Sequence, residues 1–140
     1  MNIRDVMTSN PQTVAPGDSI QSAARIMRDC DTGAVPVVDN GRPVGMVTDR
    51  DIVIRAVADG QLNRPVREIV TTGVICATPE MSTREAEELM SEHQIRRLPV
   101  VENERIVGIV SLGDIAVKEA KDKRTGDTLE RISEGVKERG

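Results

Sequence analysis

Two short motifs, each a hydroxyl residue followed three positions later by an aspartate, carry the clearest chemistry in this chain. They are Thr48-x-x-Asp51 and Ser111-x-x-Asp114, and each follows an apolar, β-branched stretch. If a helix begins at the hydroxyl residue, its free backbone N–H groups and its dipole favour an anion such as a phosphate. The aspartate then lies about one helical turn away, and its two acceptor oxygens can bind both hydroxyls of a ribose. The motifs therefore predict two sites for a nucleoside phosphate.

The same pattern also has a purely structural interpretation. A hydroxyl at the first position of a helix accepts a hydrogen bond from a free N–H group, and an acidic residue is favoured in the first turn. Capping alone would explain either motif. The sequence leaves both interpretations open, and the duplication of the motif favours binding.

Catalytic and metal-binding constellations are scarce in the sequence. One histidine, His93, and two cysteines, Cys30 and Cys76, are present, and no serine triad, Cys–His dyad or zinc ligand set can be assembled from them. His93 is expected to end a helix and to interact with its last carbonyls. Asp49 and Asp51 are too few carboxylates for a dedicated divalent-cation site, although a phosphate-bound Mg²⁺ remains compatible with them. We therefore expect no catalytic residues and no metal ligands.

The bulk composition limits the class of protein. The 140 residues are 38% hydrophobic and 30% charged, which predicts a folded, soluble protein. The net charge of −4 is spread along the chain, so the clustered basic face that nucleic-acid binding needs is missing. No stretch approaches the roughly 18 apolar residues of a membrane span, and a signal-peptide pattern is lacking. We expect a cytoplasmic protein without membrane or nucleic-acid partners, whose two thiols are buried and do not form a disulfide.

The sequence contains no Phe, Tyr or Trp. The core must therefore consist of Val, Ile, Leu, Met and Ala side chains. Any planar ligand would be held between aliphatic side chains, because no ring is available to stack on it.

An internal repeat defines the elements that position the two motifs. Residues 7–54 align with residues 70–117 without a gap at an offset of 63 positions, and 15 of the 48 pairs are identical. Chance pairing would give about 3. We expect repeat 1 over residues 1–60, a linker over 61–65, repeat 2 over 66–119 and a C-terminal helical tail over 120–140.

Each repeat predicts the element order β-α-β-β-α. Capping boxes at Asp18-x-x-Gln21 and Ser82-x-x-Glu85 mark the first helix of each repeat, and Asp39-Asn40-Gly41 marks a hairpin turn. The predicted extended segments are residues 12–15, 34–38 and 44–47 in repeat 1 and residues 75–78, 98–101 and 106–110 in repeat 2. One repeat encloses too little interior to fold alone. We therefore expect an α/β (α+β) fold in which two repeats pack sheet to sheet with pseudo-two-fold symmetry.

With these features in place, the sequence resembles the cystathionine-β-synthase (CBS) domain family. The stretches GMVTDRD (residues 45–51) and GIVSLGD (residues 108–114) both match the G-h-x-[T/S]-x-x-D motif of that family. Two such repeats in tandem resemble the Bateman module, and the likeness covers residues 3–119. The chain is also similar to short two-repeat proteins of bacteria.

The resemblance implies a regulatory module without catalysis or a required cofactor, which binds AMP, ADP, ATP or S-adenosylmethionine in clefts between the repeats. It implies that the base lies against the first short strand and the residues before the strand proline. The implied ligand-binding residues are Thr13, Val14, Ala34, Val35, Pro36, Gly45, Thr48 and Asp51 of repeat 1 and Cys76, Ala77, Arg97, Leu98, Pro99, Gly108, Ser111 and Asp114 of repeat 2. Backbone groups of Val14 and Ala77 are expected to contact the adenine edge, and the two glycines are expected to allow close approach of the ligand.

Two arginines break the repeat. Arg96 and Arg97 have Gly33 and Ala34 as their partners at the repeat offset. In related modules a basic residue at this place reaches ligand phosphates, and an arginine fork suits a phosphate. We therefore expect unequal sites, with the charged ligand near Arg97 and with Arg96 on a solvated strand edge. Arg50 is expected either to face the ligand or to pair with its acidic neighbour.

The tail and the oligomeric state leave alternatives open. Leu129, Ile132 and Val136 fall on one helical face, which predicts a helix docked on its own domain or exchanged with a second copy. Since modules of the resembled family commonly pair, we expect a homodimer. A ligand-free scaffold or a stress-associated interaction module is the alternative function.

Overall fold

The computed structural model describes residues 1–123, without the side chains of residues 71 and 72, so the tail face of Leu129, Ile132 and Val136 lies outside the described residues. The predicted order β-α-β-β-α, twice, is confirmed. Repeat 1 contains β1 (Thr8–Ser9), α1 (Ile20–Cys30), β2 (Ala34–Asp39), β3 (Arg42–Thr48) and α2 (Asp49–Ile52), which continues as a π-helical stretch (Val53–Val57). Repeat 2 contains β4 (Thr71–Thr72), α3 (Thr83–His93), β5 (Arg97–Glu102) and β6 (Arg105–Ser111), followed by α4 over residues 112–123.

The two repeats exchange their first strands. One sheet has the order β2-β3-β4 and the other the order β5-β6-β1, so each sheet takes its third strand from the other repeat. Thr8 lies opposite Ile109, and Thr72 lies opposite Gly45. The segments predicted as the first strands, residues 12–15 and 75–78, form only the isolated parallel bridges Val14–Val37 and Ala77–Val100. The predicted positions were wrong because β1 and β4 pair far along the chain, which local alternation does not report.

The cores follow the same exchange. Val66 and Ile69, which precede β4, are fully buried in the core of repeat 1. Ile3, which precedes β1, is fully buried in the core of repeat 2 beside Leu98 and Met90. Each repeat is therefore completed by the leading segment of the other.

The exchanged segments also satisfy the free N–H groups at the helix starts. The N–H of Ile20 donates to the carbonyl of Arg64 at 2.9 Å and that of Gln21 to the carbonyl of Leu62 at 3.2 Å. At the equivalent place in repeat 2, the N–H of Thr83 donates to the carbonyl of Met1 at 3.0 Å. These donors have no partner within their own helices. The linker and the N-terminus therefore perform the same task for α1 and α3.

Side-chain capping agrees with the sequence at α3 and differs at α1. Ser82 Oγ accepts from the N–H of Glu85 at 3.1 Å, as predicted. At α1 the cap is Ser19, whose Oγ accepts from the N–H of Ser22 at 3.1 Å. The predicted cap at Asp18 was wrong by one residue, because the Asp18 carboxylate accepts from the N–H of Ala15 at 2.8 Å in the preceding turn.

The two hairpins that carry the motifs turn as predicted. Asn40 and Gly41 have φ of 51° and 82°, which is the left-handed pair of a tight hairpin turn. In repeat 2 Asn103 and Glu104 take φ of 53° and 65° at the same position. Both turns return the chain so that β3 and β6 end at a helix start.

The thiols are free, and the prediction that both are buried was wrong for Cys30. Cys30 is exposed at the end of α1, whereas Cys76 is half-buried. Within residues 1–123, no helix combines the length and the apolar character that a membrane crossing requires.

The role of the N-terminal segment can be tested with Ile3→Ala. Because Ile3 is fully buried in the core of the other repeat, we expect the free energy of unfolding to fall by about 2–5 kcal/mol. Urea denaturation followed by far-ultraviolet circular dichroism measures it. The control is Leu62→Ala, whose side chain is 43% exposed. Equal denaturation midpoints for the two variants would show that the exchange contributes little to stability.

Candidate ligand-binding clefts

The first motif forms a reciprocal capping box at the start of α2. Thr48 Oγ1 accepts from the N–H of Asp51 at 3.1 Å, and Asp51 Oδ2 accepts from the N–H of Thr48 at 3.0 Å. This motif therefore caps a helix, as the structural interpretation of the sequence predicts. One carboxylate oxygen of Asp51 is occupied by its own helix, and the residue is half-buried.

The second motif forms only half of the box. Ser111 Oγ accepts from the N–H of Asp114 at 3.0 Å. Over residues 1–123 no group donates a hydrogen bond to the Asp114 carboxylate, and Asp114 is exposed. The hydroxyls of the two motifs act alike, whereas the two aspartates differ in what remains available to a ligand.

Asp114 opens into a cleft that we call the Ser111 cleft. Its volume is about 500 Å³, within the range of small-molecule sites. It combines β2 of repeat 1 with the helix-start motif of repeat 2. Its walls consist of Thr8, Asn10, Pro11, Gln12, Ile26, Cys30, Asp31, Thr32, Gly33, Ala34, Pro36, Arg97, Ile109, Ser111 and Asp114.

The opposite combination forms a second cleft, the Thr48 cleft, of about 490 Å³. Here the helix-start motif of repeat 1 faces β5 of repeat 2. Its walls consist of Met46, Thr48, Asp49, Arg50, Gly73, Val74, Ile75, Gln94, Ile95, Arg96, Arg97 and Pro99. Asp51 is not among them, which agrees with its use in the capping box.

The repeat relates the two clefts to each other. At the offset of 63 positions, Pro36 corresponds to Pro99 and Thr48 corresponds to Ser111. The chain therefore contains two similar clefts, and each is built from both repeats. The predicted site residues of one repeat do not form one site, because each helix-start motif lies in a cleft with the strand proline of the other repeat.

Seven of the sixteen predicted site residues line a cleft. Ala34, Pro36, Arg97, Ser111 and Asp114 line the Ser111 cleft, and Thr48, Arg97, Pro99 line the Thr48 cleft, with Arg97 common to both. Asp51 lies beside the Thr48 cleft without lining it.

The remaining predicted residues lie below the cleft surfaces or beside them. Val14, Val35, Ala77 and Leu98 have side chains buried in the two cores. Thr13 and Cys76 are half-buried outside both linings. The expectation for Val14 needs correction, since its N–H donates to the carbonyl of Pro36 at 3.1 Å and its carbonyl accepts from Val38 at 2.8 Å.

Ala77 repeats this arrangement. Its N–H donates to the carbonyl of Pro99 at 2.9 Å, and its carbonyl accepts from Val101 at 2.9 Å. The N–H groups of Val14 and Ala77 are therefore committed within the protein. Only the second lone pair of each carbonyl is left for a base edge.

Gly108 makes room for the exchanged strand β1, and its expected close approach to a ligand stays a prediction. A Cβ on Gly108 would lie 2.6 Å from Met7 Sδ and 2.9 Å from the carbonyl oxygen of Thr8. Gly108 lies opposite Ser9 in the β1–β6 pair. Gly45 occupies the equivalent register position in the β3–β4 pair.

Several lining residues were missed by sequence reasoning. Asp31 and Gln94 end α1 and α3 in the left-handed conformation, with φ of 52° and 56°, and each reaches a cleft. They occupy one repeat position, so their shared place at a helix end was an available signal. Asp49 was considered only as a metal ligand or an ion-pair partner, yet it lines the Thr48 cleft together with Arg50 and Arg96.

Charged groups from both repeats lie beside Gly33 of the Ser111 cleft. A Cβ on Gly33 would lie 3.0 Å from Asp49 Oδ2 and 3.4 Å from Arg97 Nη2, so both charged groups flank this glycine. Burial raises the pKa of the Cys76 thiol, which keeps it protonated near neutral pH and therefore weakly nucleophilic. Among the described residues, no three His, Cys, Asp or Glu side chains are grouped to hold a metal ion.

Comparison with known proteins identifies relatives of this architecture. The family model described as the CBS domain matches residues 3–57 and 66–120. The CBS domain-containing protein YhcV of Bacillus subtilis is 44% identical over 133 residues, which cover 94% of this chain and 95% of that protein. Hypoxic response protein 1 of Mycobacterium tuberculosis is 38% identical over 116 residues, 81% of each chain.

A solved structure agrees with the same assignment. The crystal structure of the CBS domain pair of protein MJ0100, in complex with 5′-methylthioadenosine and S-adenosyl-L-methionine, superposes with a TM-score of 0.79 at 31% identity. The match covers 87% of this chain and 98% of that chain.

The difference between the two aspartates predicts a difference in stability. Asp51→Ala removes an acceptor from the capping box and should lower the free energy of unfolding by about 1 kcal/mol more than Asp114→Ala. Both variants lose the same favourable charge at a helix start, so each is the control for the other. Thermal or urea unfolding measures the difference. Equal losses would mean that the Asp51 hydrogen bond contributes nothing.

Proposed function

This chain belongs to the CBS domain family, and because it carries two copies of the domain, we propose that it is a regulatory module that binds adenosine-containing ligands. AMP, ADP, ATP and S-adenosylmethionine are the candidate ligands, bound in the Ser111 and Thr48 clefts. Ligand binding would shift the population of conformations that the module presents to a partner. We propose no catalytic step, no required cofactor and a cytoplasmic location.

One observation carries this proposal: the chain builds the same cleft twice, and each copy joins a helix-start hydroxyl to a strand proline of the other repeat. Capping accounts for the hydroxyl and for the Asp51 carboxylate. It does not account for a cleft of about 500 Å³ in front of them. Nor does it account for the exposed Asp114 carboxylate in that cleft.

The Ser111 cleft offers each part of an adenosine a complementary surface. Asp114 supplies two acceptor oxygens for the ribose hydroxyls. Ile26, Ile109 and Pro36 provide apolar lining, which can enclose a base through burial of its faces without ring stacking. Arg97 supplies donors for a polar tail. In the Thr48 cleft, Met46, Ile75 and Pro99 form the apolar part of the lining.

The ligands of the MJ0100 domain pair support the same class of ligand. That protein was crystallised with 5′-methylthioadenosine and S-adenosyl-L-methionine. Both contain adenosine, the part of the ligand for which the Ser111 cleft has complementary groups. Our proposal extends this ligand class to the present chain.

We also propose that the chain forms a homodimer. Val53 and Val57 in the π-helical continuation of α2 are 58% and 51% exposed, and Ile54 between them is 51% exposed. Val117 on α4 is 57% exposed. Aliphatic side chains exposed this far on two helices are better explained by a second copy that covers them.

Ligand binding can be tested directly by titration of the purified protein. We expect isothermal titration calorimetry with AMP, ATP and S-adenosylmethionine to detect binding of at least one of them. Asp114→Ala should weaken ribose-dependent binding by about tenfold or more, because a charged hydrogen-bond acceptor is removed.

Asp122→Ala is the matched control, since it also removes one exposed carboxylate from α4, and Asp122 lines neither cleft. A chain without Trp, Tyr or Phe absorbs very little in the nucleotide band. The ultraviolet spectrum of material released by acid should therefore reveal any nucleotide ligand that co-purifies. An absence of binding for all three ligands would favour the ligand-free scaffold.

Substitution of the exposed valines tests the proposed dimer. Val53→Lys combined with Val57→Lys places two charges in the proposed contact, and desolvating them on association is costly. We expect size-exclusion chromatography with light scattering to report a monomer. Val44→Lys, a change at a 37% exposed residue of β3, is the control and should remain dimeric. A double variant that stays dimeric would remove this surface from the interface.

A further inference from the structure

The two clefts are built from equivalent elements of the two repeats, but their lining residues carry net charges of opposite sign. In the Ser111 cleft, Asp31 and Asp114 accompany a single arginine, Arg97. In the Thr48 cleft, one aspartate, Asp49, accompanies three arginines. The first cleft is therefore net acidic and the second net basic.

Substitutions between the repeats, and not the fold, produce this difference. The Thr48 cleft residues Arg50, Gln94 and Arg96 correspond at the repeat offset to Gly113, Asp31 and Gly33. Each replacement removes a positive charge or adds a negative one on the side of the Ser111 cleft. All three differences act in the same direction, and the pair Asp49 and Leu112, which acts in the opposite direction, offsets only one of them.

The arginines of the Thr48 cleft are not neutralised by the described protein. Among residues 1–123, no ion pair involves Arg50, Arg96 or Arg97. Arg97 is half-buried, and the other two are exposed. Three guanidinium groups that line one cleft with a single carboxylate, and that form no ion pair among residues 1–123, favour a ligand with several negative charges, such as a phosphate.

Arg97 lies between the clefts and lines both of them. Its Nη2 would lie 3.4 Å from a Cβ on Gly33, a residue of the Ser111 cleft. The Arg97 guanidinium therefore lies beside Gly33, at the boundary between the two clefts. A guanidinium that is engaged by a ligand in one cleft is not equally available to a ligand in the other.

Building on the ligand-binding function proposed above, we propose that the two clefts accept ligands of different charge. The Thr48 cleft takes a phosphorylated adenosine ligand, and the Ser111 cleft takes one whose tail is uncharged or positively charged. A phosphate that engages Arg97 leaves the Ser111 cleft with two carboxylates and no cation. The chain therefore holds one phosphorylated ligand at a time, together with one ligand that lacks phosphate.

AMP and adenosine are the probes, because they differ only in the phosphate. Calorimetry should give one AMP site for each chain, and protein saturated with AMP should still bind adenosine. Higher salt should weaken AMP binding and leave adenosine binding nearly unchanged, since screening acts on the charged ligand. Two equivalent AMP sites for each chain would overturn this assignment of charge and leave the ligand-binding function intact.

Arg50→Gln combined with Arg96→Gln tests the basic cleft itself. We expect AMP affinity to fall by about tenfold or more as charged donors are lost, while the affinity for adenosine added after AMP changes little. Arg28→Gln combined with Arg84→Gln is the control, since these residues line neither cleft and the change in net charge is identical. Unchanged AMP affinity in the first pair would overturn the proposal. A wild-type chain that binds none of AMP, adenosine, ATP and S-adenosylmethionine would overturn the proposed function as well.

Discussion

The cores and both clefts depend on the exchange of leading segments between the repeats. β1 completes the sheet of repeat 2, and β4 completes the sheet of repeat 1. Ile3 and Ile69 belong to the exchanged leading segments, and each is buried in the core of the other repeat. Two small units that bury too little surface alone gain a common interior in this way. The exchange also holds the halves in one relative position, because a shift of either half would break a sheet and expose a core at the same time.

That fixed position explains why each cleft contains parts of both repeats. The end of β3 presents Thr48 toward Pro99, and the end of β6 presents Ser111 toward Pro36. Gly108, which precedes Ser111, accommodates the exchanged strand β1, as the close approach of Thr8 shows, and Gly45 has the equivalent register position beside β4. The G-h-x-[T/S]-x-x-D pattern therefore combines a packing requirement at its first residue with a helix start at its hydroxyl. The proposed ligand contacts rest on that framework.

Local features of the sequence predicted most of the fold. The repeat offset, the hairpin turn at Asn40-Gly41 and the cap at Ser82 all involve residues close in sequence, and each was found where predicted. Contacts between distant residues were not predictable from one sequence. Ser19 acts as the cap of α1 because Asp18 is engaged in the turn before it. Likewise, the sequence does not distinguish Asp51 from Asp114, whose difference lies in one hydrogen bond. Arg97 was expected to favour one site, but only the assembled halves show that it lines two.

The exchange has a consequence for how such a gene can arise. A single repeat would lack the strand and the core residues that the other repeat supplies, so it could complete its fold only by pairing with another copy of itself. Such a pair would have identical clefts, because every substitution would occur in both. Fusion of two copies into one reading frame removes that symmetry, and a change at position 96 or 97 then alters one copy without altering positions 33 and 34. Tandem duplication thereby lets one ancestral pocket become two pockets that evolve separately while they still share a wall.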